Sequence, residues 1–211
     1  MKTGLAMIAL GALLATHTAT AKDFWADFPH VTHSTYIEPS GDRAIRLSIE
    51  VPATPQQCFD AFATTEGFRS WAVPVANIEL QNGGLIESSY EPTAKIGDPN
   101  NIKNQIVAFI PAELLVIKNV QAPASFVDAD LFQRTVTIIA LQPIDAGHTR
   151  VTLVNSGYGA SDNFDKLMKK FEWGDAYTLE QLKTRFEKGP TDWNSAGKQA
   201  ESVKADKKVH P

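Results

Sequence analysis

Residues 161–190 read SDNFDKLMKKFEWGDAYTLEQLKTRFEKGP and predict a single helix over 161–188. Ser161, Asp162 and Asn163 offer side-chain oxygens to the N–H groups that a first helical turn leaves unpaired. Gly189 and Pro190 mark the opposite end, a residue at ease with positive φ followed by one that cannot extend a helix. Between them Phe164, Leu167, Met168, Phe171, Leu179, Leu182 and Phe186 recur at three- and four-residue spacing and share one face. At about 1.5 Å per residue the rod is about 40 Å long, as long as a small domain is wide. The stripe breaks at Gly174-Asp175, where the step from Phe171 to Leu179 asks for an apolar residue. A glycine inside a helix costs roughly 1 kcal/mol against alanine, so this one answers to close packing or to space kept open. On that reading Gly174→Leu crowds the interior and weakens ligand binding more than folding.

Upstream of the helix the chain reads mostly as strand. Over 44–51, Ile45, Leu47, Ile49 and Val51 alternate with Arg46, Ser48 and Glu50, the period of a half-buried strand. Thr54, Pro55 and Gln57 form a capping-box start for a short helix whose buried side is Cys58, Phe59 and Phe62. A second short helix runs through Glu66 to Trp71. Further strands are predicted over 75–80, 85–90, 102–110, 114–120, 132–141 and 148–156, which makes seven. Asn82-Gly83-Gly84 and Asp145-Ala146-Gly147 are the hairpin signals among them. Strands followed by one amphipathic rod predict an α+β domain, the helix lying on one sheet face.

Residues 1–21 carry Lys2, an apolar run from Leu5 to Leu14 and a small-residue site at Ala19-Thr20-Ala21, the pattern of a cleaved signal peptide. The expectation is an exported, periplasmic protein without stable membrane insertion, because that run is shorter than the roughly 20 residues a span requires. The organisation read from the chain is a signal peptide at 1–21, an irregular segment at 22–43, one domain at 44–189 and a polar, lysine-rich disordered tail at 190–211. The net charge of −4 comes from scattered acids, and no basic stripe is present to follow a phosphate backbone, which excludes nucleic acid as a partner. Cys58 is the only cysteine, so there is no internal disulfide; beside Phe59 it reads as an inert buried thiol. His30 and His33 have neither a paired cysteine nor a helical i,i+4 partner, so no metal is expected. A phosphate-cradling glycine loop is also missing, and no cofactor is expected. Glu79 and Glu87 flank the Gly83-Gly84 turn and read as solvent-facing.

Five phrases, in order and spacing, resemble the START-like superfamily, also called SRPBCC. They are Glu50-Val51-Pro52-Ala53-Thr54-Pro55 before Phe59 and Phe62, the Asn82-Gly83-Gly84 hairpin, Ile110-Pro111-Ala112-Glu113-Leu114-Leu115, Thr149 to Gly157, and Trp173-Gly174 with Leu179 and Leu182. The similarity covers about 45–188 and is greatest to the branch named after the heat-shock-protein ATPase activator. It implies a helix-grip fold, a seven-stranded curved antiparallel sheet around the C-terminal helix with a cavity between them. It implies binding of lipids, polyketides or other apolar molecules, with some members acting as cyclases or hydrolases. Many relatives carry His where this chain has Asn155, which removes one acid–base group. The branch's chaperone role concerns a cytosolic partner that an exported protein would not meet.

Alternation selects the cavity-facing candidates on the strands: Ile86, Ser88 and Tyr90; Leu115, Ile117 and Asn119; Thr135, Thr137, Ile139 and Leu141; Val151, Leu153 and Asn155. Tyr90, Asn119, Thr137 and Asn155 are the polar exceptions in an apolar lining, the composition of a ligand pocket. Asn119 and Asn155 carry most weight, since a buried amide must find a partner; the bland reading of all four is local hydrogen bonding at strand ends. Phe164, Met168 and Phe171 on the rod either line the cavity or simply pack. The resemblance places Trp71 at the cavity mouth, with coverage of the core edge as the alternative. No residue is assigned a catalytic role. Three functions stay open: a binding protein for a small apolar or amphipathic ligand, a cyclase- or hydrolase-like enzyme using Tyr90 or a nearby carboxylate, and a protein-interaction module.

Overall fold

In the segment Arg43–Val51 (β2), Ile45, Leu47, Ile49 and Val51 are buried while Arg46 and Glu50 are exposed, so one face of this strand belongs to the core. The computed structural model, which describes residues 24–193, continues that face across a single antiparallel sheet. Its strands are β1 (Thr32–Ile37), β2, β3 (Val75–Ile78), β4 (Leu85–Ser89), β5 (Ile102–Ile110), β6 (Leu114–Gln121), β7 (Val136–Pro143) and β8 (Thr149–Tyr158). The spatial order is β1-β2-β8-β7-β6-β5-β4-β3, so β3 to β8 form a meander and β2 closes beside β8. The sheet is curved and unclosed, an α+β helix-grip architecture.

Eight strands stand where the sequence predicts seven. The extra one is β1, within the segment 22–43 expected to be irregular; it pairs with β2 from Thr32↔Ser48 to Ile37↔Arg43. All six of its residues are exposed, so no alternation of polar and apolar side chains advertises it. A second difference lies at 132–135, predicted as strand: Ala129–Phe132 is a short helix (α3), and Thr135 bonds back to the Phe132 carbonyl before β7 begins. The predicted tail begins in the described residues, where Thr191 N–H donates to the Ser70 carbonyl and Trp193 Nε1 to the Arg69 carbonyl.

The helix α1 (Pro55–Ala63) starts on the expected capping box: Gln57 N–H donates to Thr54 Oγ1 and Thr54 N–H to Gln57 Oε1. It packs against β6, β7 and β8 and is followed by α2 (Thr65–Arg69). The long helix α4 (Asp162–Lys188) is capped by Ser161 and ends at Gly189, with φ +96°. Its apolar stripe lies over β2 and β8. On the far side of α4, Phe28 meets the Trp173 ring edge-on at 6.0 Å, and His30 pairs with Glu180 at 3.1 Å, so the N-terminal segment covers the helix from outside. No described helix is long and apolar enough to cross a membrane.

Candidate functional site

Pairing register turns strand alternation into rows across the inner face. One row runs Ile45–Asn155–Thr137–Ile117, and the next runs Leu47–Leu153–Ile139–Leu115. The second row is apolar throughout; the first holds two polar groups directly opposite each other. Thr137 Oγ1 donates to Asn155 Oδ1 at 2.5 Å. Asn155 Nδ2 then donates to Asp175 Oδ2, also at 2.5 Å. Asp175 sits four residues from both Phe171 and Leu179, in the middle of the helix's apolar stripe, which explains the break seen in the sequence. Sheet and helix are therefore joined at their centre by a relay from hydroxyl to amide to carboxyl.

Asp175 has no second protein hydrogen bond and no ion pair among the described residues. Burial pushes its carboxyl up to about 7, against a smaller lowering by the Asn155 bond. It nonetheless keeps accessible surface, as do Ile117, Thr137, Phe171 and Thr178. A side chain that is desolvated yet keeps some surface marks a place where sheet and helix do not close completely on each other. The neighbouring Gly174 agrees with this: a Cβ built there has no atom within 4 Å, so of the two readings, close packing or space kept open, the second holds.

Tyr158 was not foreseen. It has the alternation parity of Ser156, which would turn it away from the helix, but Gly157 at φ +96° lies beside a register shift between Arg43 and Ala44 on the partner strand. This bulge re-aims the strand's last residue inward. A Cβ at Gly157 would sit 3.0 Å from the Arg134 carbonyl, so close backbone approach also requires glycine. The Tyr158 ring is fully buried, edge-on to Phe164 at 6.3 Å and 6.4 Å from Phe171. Its hydroxyl has no partner among the described residues. Burial, then the charges of Asp175 and Glu172, hold that hydroxyl far above the ordinary tyrosine range. Glu172, one turn before Asp175, is itself raised, chiefly by burial.

The expected lining residues divide. Thr137, Asn155, Ile117, Ile139 and Leu153 come together on the inner face, with Phe171 opposite them. Phe164 and Met168 are buried in the stripe. Trp71 does not stand at a mouth: it is 2% exposed, edge-on to Phe62 and Phe68, and Nε1 donates to the Ala61 carbonyl. It is core, because an indole with a backbone partner in an aromatic cluster has nowhere better to go. Tyr90 lies past the end of β4 and is 69% exposed; its ring stands at the rim, where desolvation and then Asp175 and Tyr177 raise its hydroxyl. Ser88 is buried in β4 and, with Tyr90, borders a surface hollow of about 390 Å³ under the 91–101 loop. Asn119 is buried, but its amide nitrogen serves local carbonyls of Lys103, Asn104 and Gln121 at the β5–β6 bulge.

Glu87, read as solvent-facing, is also buried. Its Oε1 accepts from Gly97 N–H at 2.6 Å and Asn101 Nδ2 at 2.7 Å, anchoring the 91–101 loop. Cys58 is fully buried and desolvation raises its thiol to about 11, which keeps it protonated and unreactive. Among the described residues no group of three or more His, Cys, Asp or Glu side chains is placed to hold a metal ion.

Solved structures share this fold at low sequence identity. The Aha1 dimer from Colwellia psychrerythraea aligns with a TM-score of 0.51 and 17% identity, over 69% of this chain and 97% of its own. CalU16 from Micromonospora echinospora gives 0.53 and 16%, over 86% and 99%. SSP2350 from Staphylococcus saprophyticus gives 0.53 and 21%, over 70% and 94%. A comparison with curated proteins found no match. Residues 52–187, more than half of the chain, match the family described as Activator of Hsp90 ATPase homolog 1-like protein. The chain belongs to this START-like, SRPBCC-type family, which typically binds hydrophobic ligands or interacts with proteins.

Proposed function

We propose that this chain is an exported binding protein for a small apolar or amphipathic molecule held between the sheet and α4, with Asp175 meeting its polar end. The observation that carries the reading is the Asp175 carboxyl itself, set in the middle of an apolar stripe and bonded to Asn155 alone among the described residues. A helix that only had to pack would carry an aliphatic residue there, because an unneutralised buried carboxylate costs stability. Asn155 and Thr137 orient the carboxyl, while Ile117, Ile139, Leu153 and Phe171 offer apolar surface. Burial of ligand against such walls contributes about 25 cal/mol per Å². Export rests on the signal-peptide pattern of residues 1–21, which lie outside the described residues; a mature chain starting at Lys22 in the periplasm would support it.

Native mass spectrometry of protein purified from its own host's periplasm tests the reading. A small molecule should co-purify with the wild type, and members of a lipid and polyketide panel should raise the melting temperature. Protein that carries nothing and gives flat thermal shifts throughout the panel would overturn it. An acid–base enzyme is the second reading, favoured because burial raises the Asp175 carboxyl to about 7, with Tyr158 and Tyr90 in electrostatic reach. A bound molecule returned chemically altered would select it.

A further inference from the structure

We infer that the polar end of the recess selects a positively charged head group, so that the ligand is an amphipathic amine rather than a fatty acid or a neutral lipid. This rests on the reading above that the recess holds a ligand at all.

Two unpartnered acceptors stand there. Asp175 uses one carboxyl oxygen on Asn155, and no described protein group bonds the other. The Tyr158 hydroxyl, buried completely, has no described partner. The groups that face this end are Thr137 from β7, Asn155 and Tyr158 from β8, Glu172 from α4 and Tyr90 from the rim; none is a cation. His33 and Lys169 influence Glu172, His33 from the N-terminal segment and Lys169 from its exposed position on α4. Two acids, two tyrosines and no facing base form a site that lacks positive charge.

Each head group then meets a different environment. A ligand carboxylate would approach Asp175 without a countercharge, which is repulsive at close range. A neutral hydroxyl could donate only one hydrogen bond to the carboxyl. An ammonium can give a proton to the free Asp175 oxygen and bring its charge within electrostatic reach of the Tyr158 hydroxyl and the neighbouring Phe171 ring. Aromatic faces and a desolvated carboxylate are the two environments that attract such a cation.

The test uses the full mature chain and three probes of one tail length, decylamine, 1-decanol and decanoate, titrated calorimetrically below their micelle concentrations at pH 7.5. Decylamine should bind at least ten-fold more tightly than decanol, with decanoate weakest. Asp175→Asn should bring decylamine down to the level of decanol and leave decanol unchanged. Because the amine stays charged throughout, wild-type affinity for it should also rise from pH 6 to pH 8 as Asp175 ionises, and the Asp175→Asn protein should lack that rise. If circular dichroism shows Asp175→Asn to be unfolded, Tyr158→Phe serves instead, with about a three-fold loss for the amine alone. Decanol or decanoate binding as tightly as decylamine overturns the charge selectivity and leaves the binding reading standing. Selectivity that survives Asp175→Asn, or Tyr158→Phe where that replaces it, overturns the residue assignment. No binding by any probe, with a flat thermal panel, overturns both.

Discussion

Asp175 sets a pH dependence whose sign follows from its position. In the folded chain its proton leaves near 7, against 3.8 for an unperturbed aspartate, so between those values the folded state holds more protons than the unfolded one. Its contribution to stability therefore falls as pH rises across that window and levels off above about 7. Asp175→Asn keeps an acceptor for Asn155 and removes the charge. We expect it to abolish this slope and to stabilise the protein at pH 8 by about 1–3 kcal/mol, the usual cost of an uncompensated buried polar group. Chemical denaturation of both proteins at pH 5 and pH 8 measures it; an equal loss at both values would show that the carboxyl is needed for the fold itself. Of the groups around this carboxyl, Thr137 and Asn155 were legible in the sequence, because alternation gives facing and their row is otherwise apolar. Asp175 was visible only as an interruption, since a stripe records that a position is anomalous without saying what lies across from it. Tyr158 was not legible at all: a bulge reverses parity, and the glycine that makes it reads like any other strand-end glycine.

At the scale of elements, the hinge of β8 and the flank of α4 make opposite demands on glycine. Gly157 combines φ +96° with a carbonyl 3.0 Å from any added Cβ, so Gly157→Ala should destabilise by more than about 1 kcal/mol and turn Tyr158 from its place. Near-ultraviolet circular dichroism and a denaturant midpoint report both effects; an unchanged midpoint would contradict the bulge argument. Gly174 lies in regular helix beside open space, where leucine meets no neighbour at its Cβ. Gly174→Leu should therefore raise stability by up to about 1 kcal/mol through helix propensity. Its remaining atoms would extend into the space beside Asp175 and weaken binding of decylamine several-fold. Unchanged binding would place that space outside the ligand's path. The long helix and the meander were readable because their periods are unambiguous over many residues. The elements that sequence reading lost, β1 and α3, are short, and β1 exposes every residue; pairing rather than pattern creates them. Glu87 was misread for a related reason, as its partners Gly97 and Asn101 belong to a loop whose path no local signal predicts.

For the molecule as a whole, the curved sheet has β1 and β3 as its edge strands among the described residues, and one concave face. The core is continuous from Phe28 through the inner face to Leu182, with α1 and Trp71 sealing one part of it and α4 the other. On the proposed reading, ligand space and folding core are the same apolar interior, divided by how closely each side chain packs. This is why the fold was foreseeable and the placing of Trp71 was not: composition says that an aromatic is inside, and only the Ala61 carbonyl bonded to its indole says which task it has there.

The pairing of β2 with β8 has a consequence for the order in which the chain can organise itself. Arg43 meets Tyr158 and Val51 meets Thr149, so the strand that carries one wall of the core waits for a partner about a hundred residues further along. Contacts at such separation form slowly, because a long loop must close before they contribute. Until α4 docks, the part of the concave face beyond α1 is wet and adhesive. A chain halted ahead of Asp162 would hold a nearly complete sheet covered only by α1 and its neighbours, a species prone to association with its own kind.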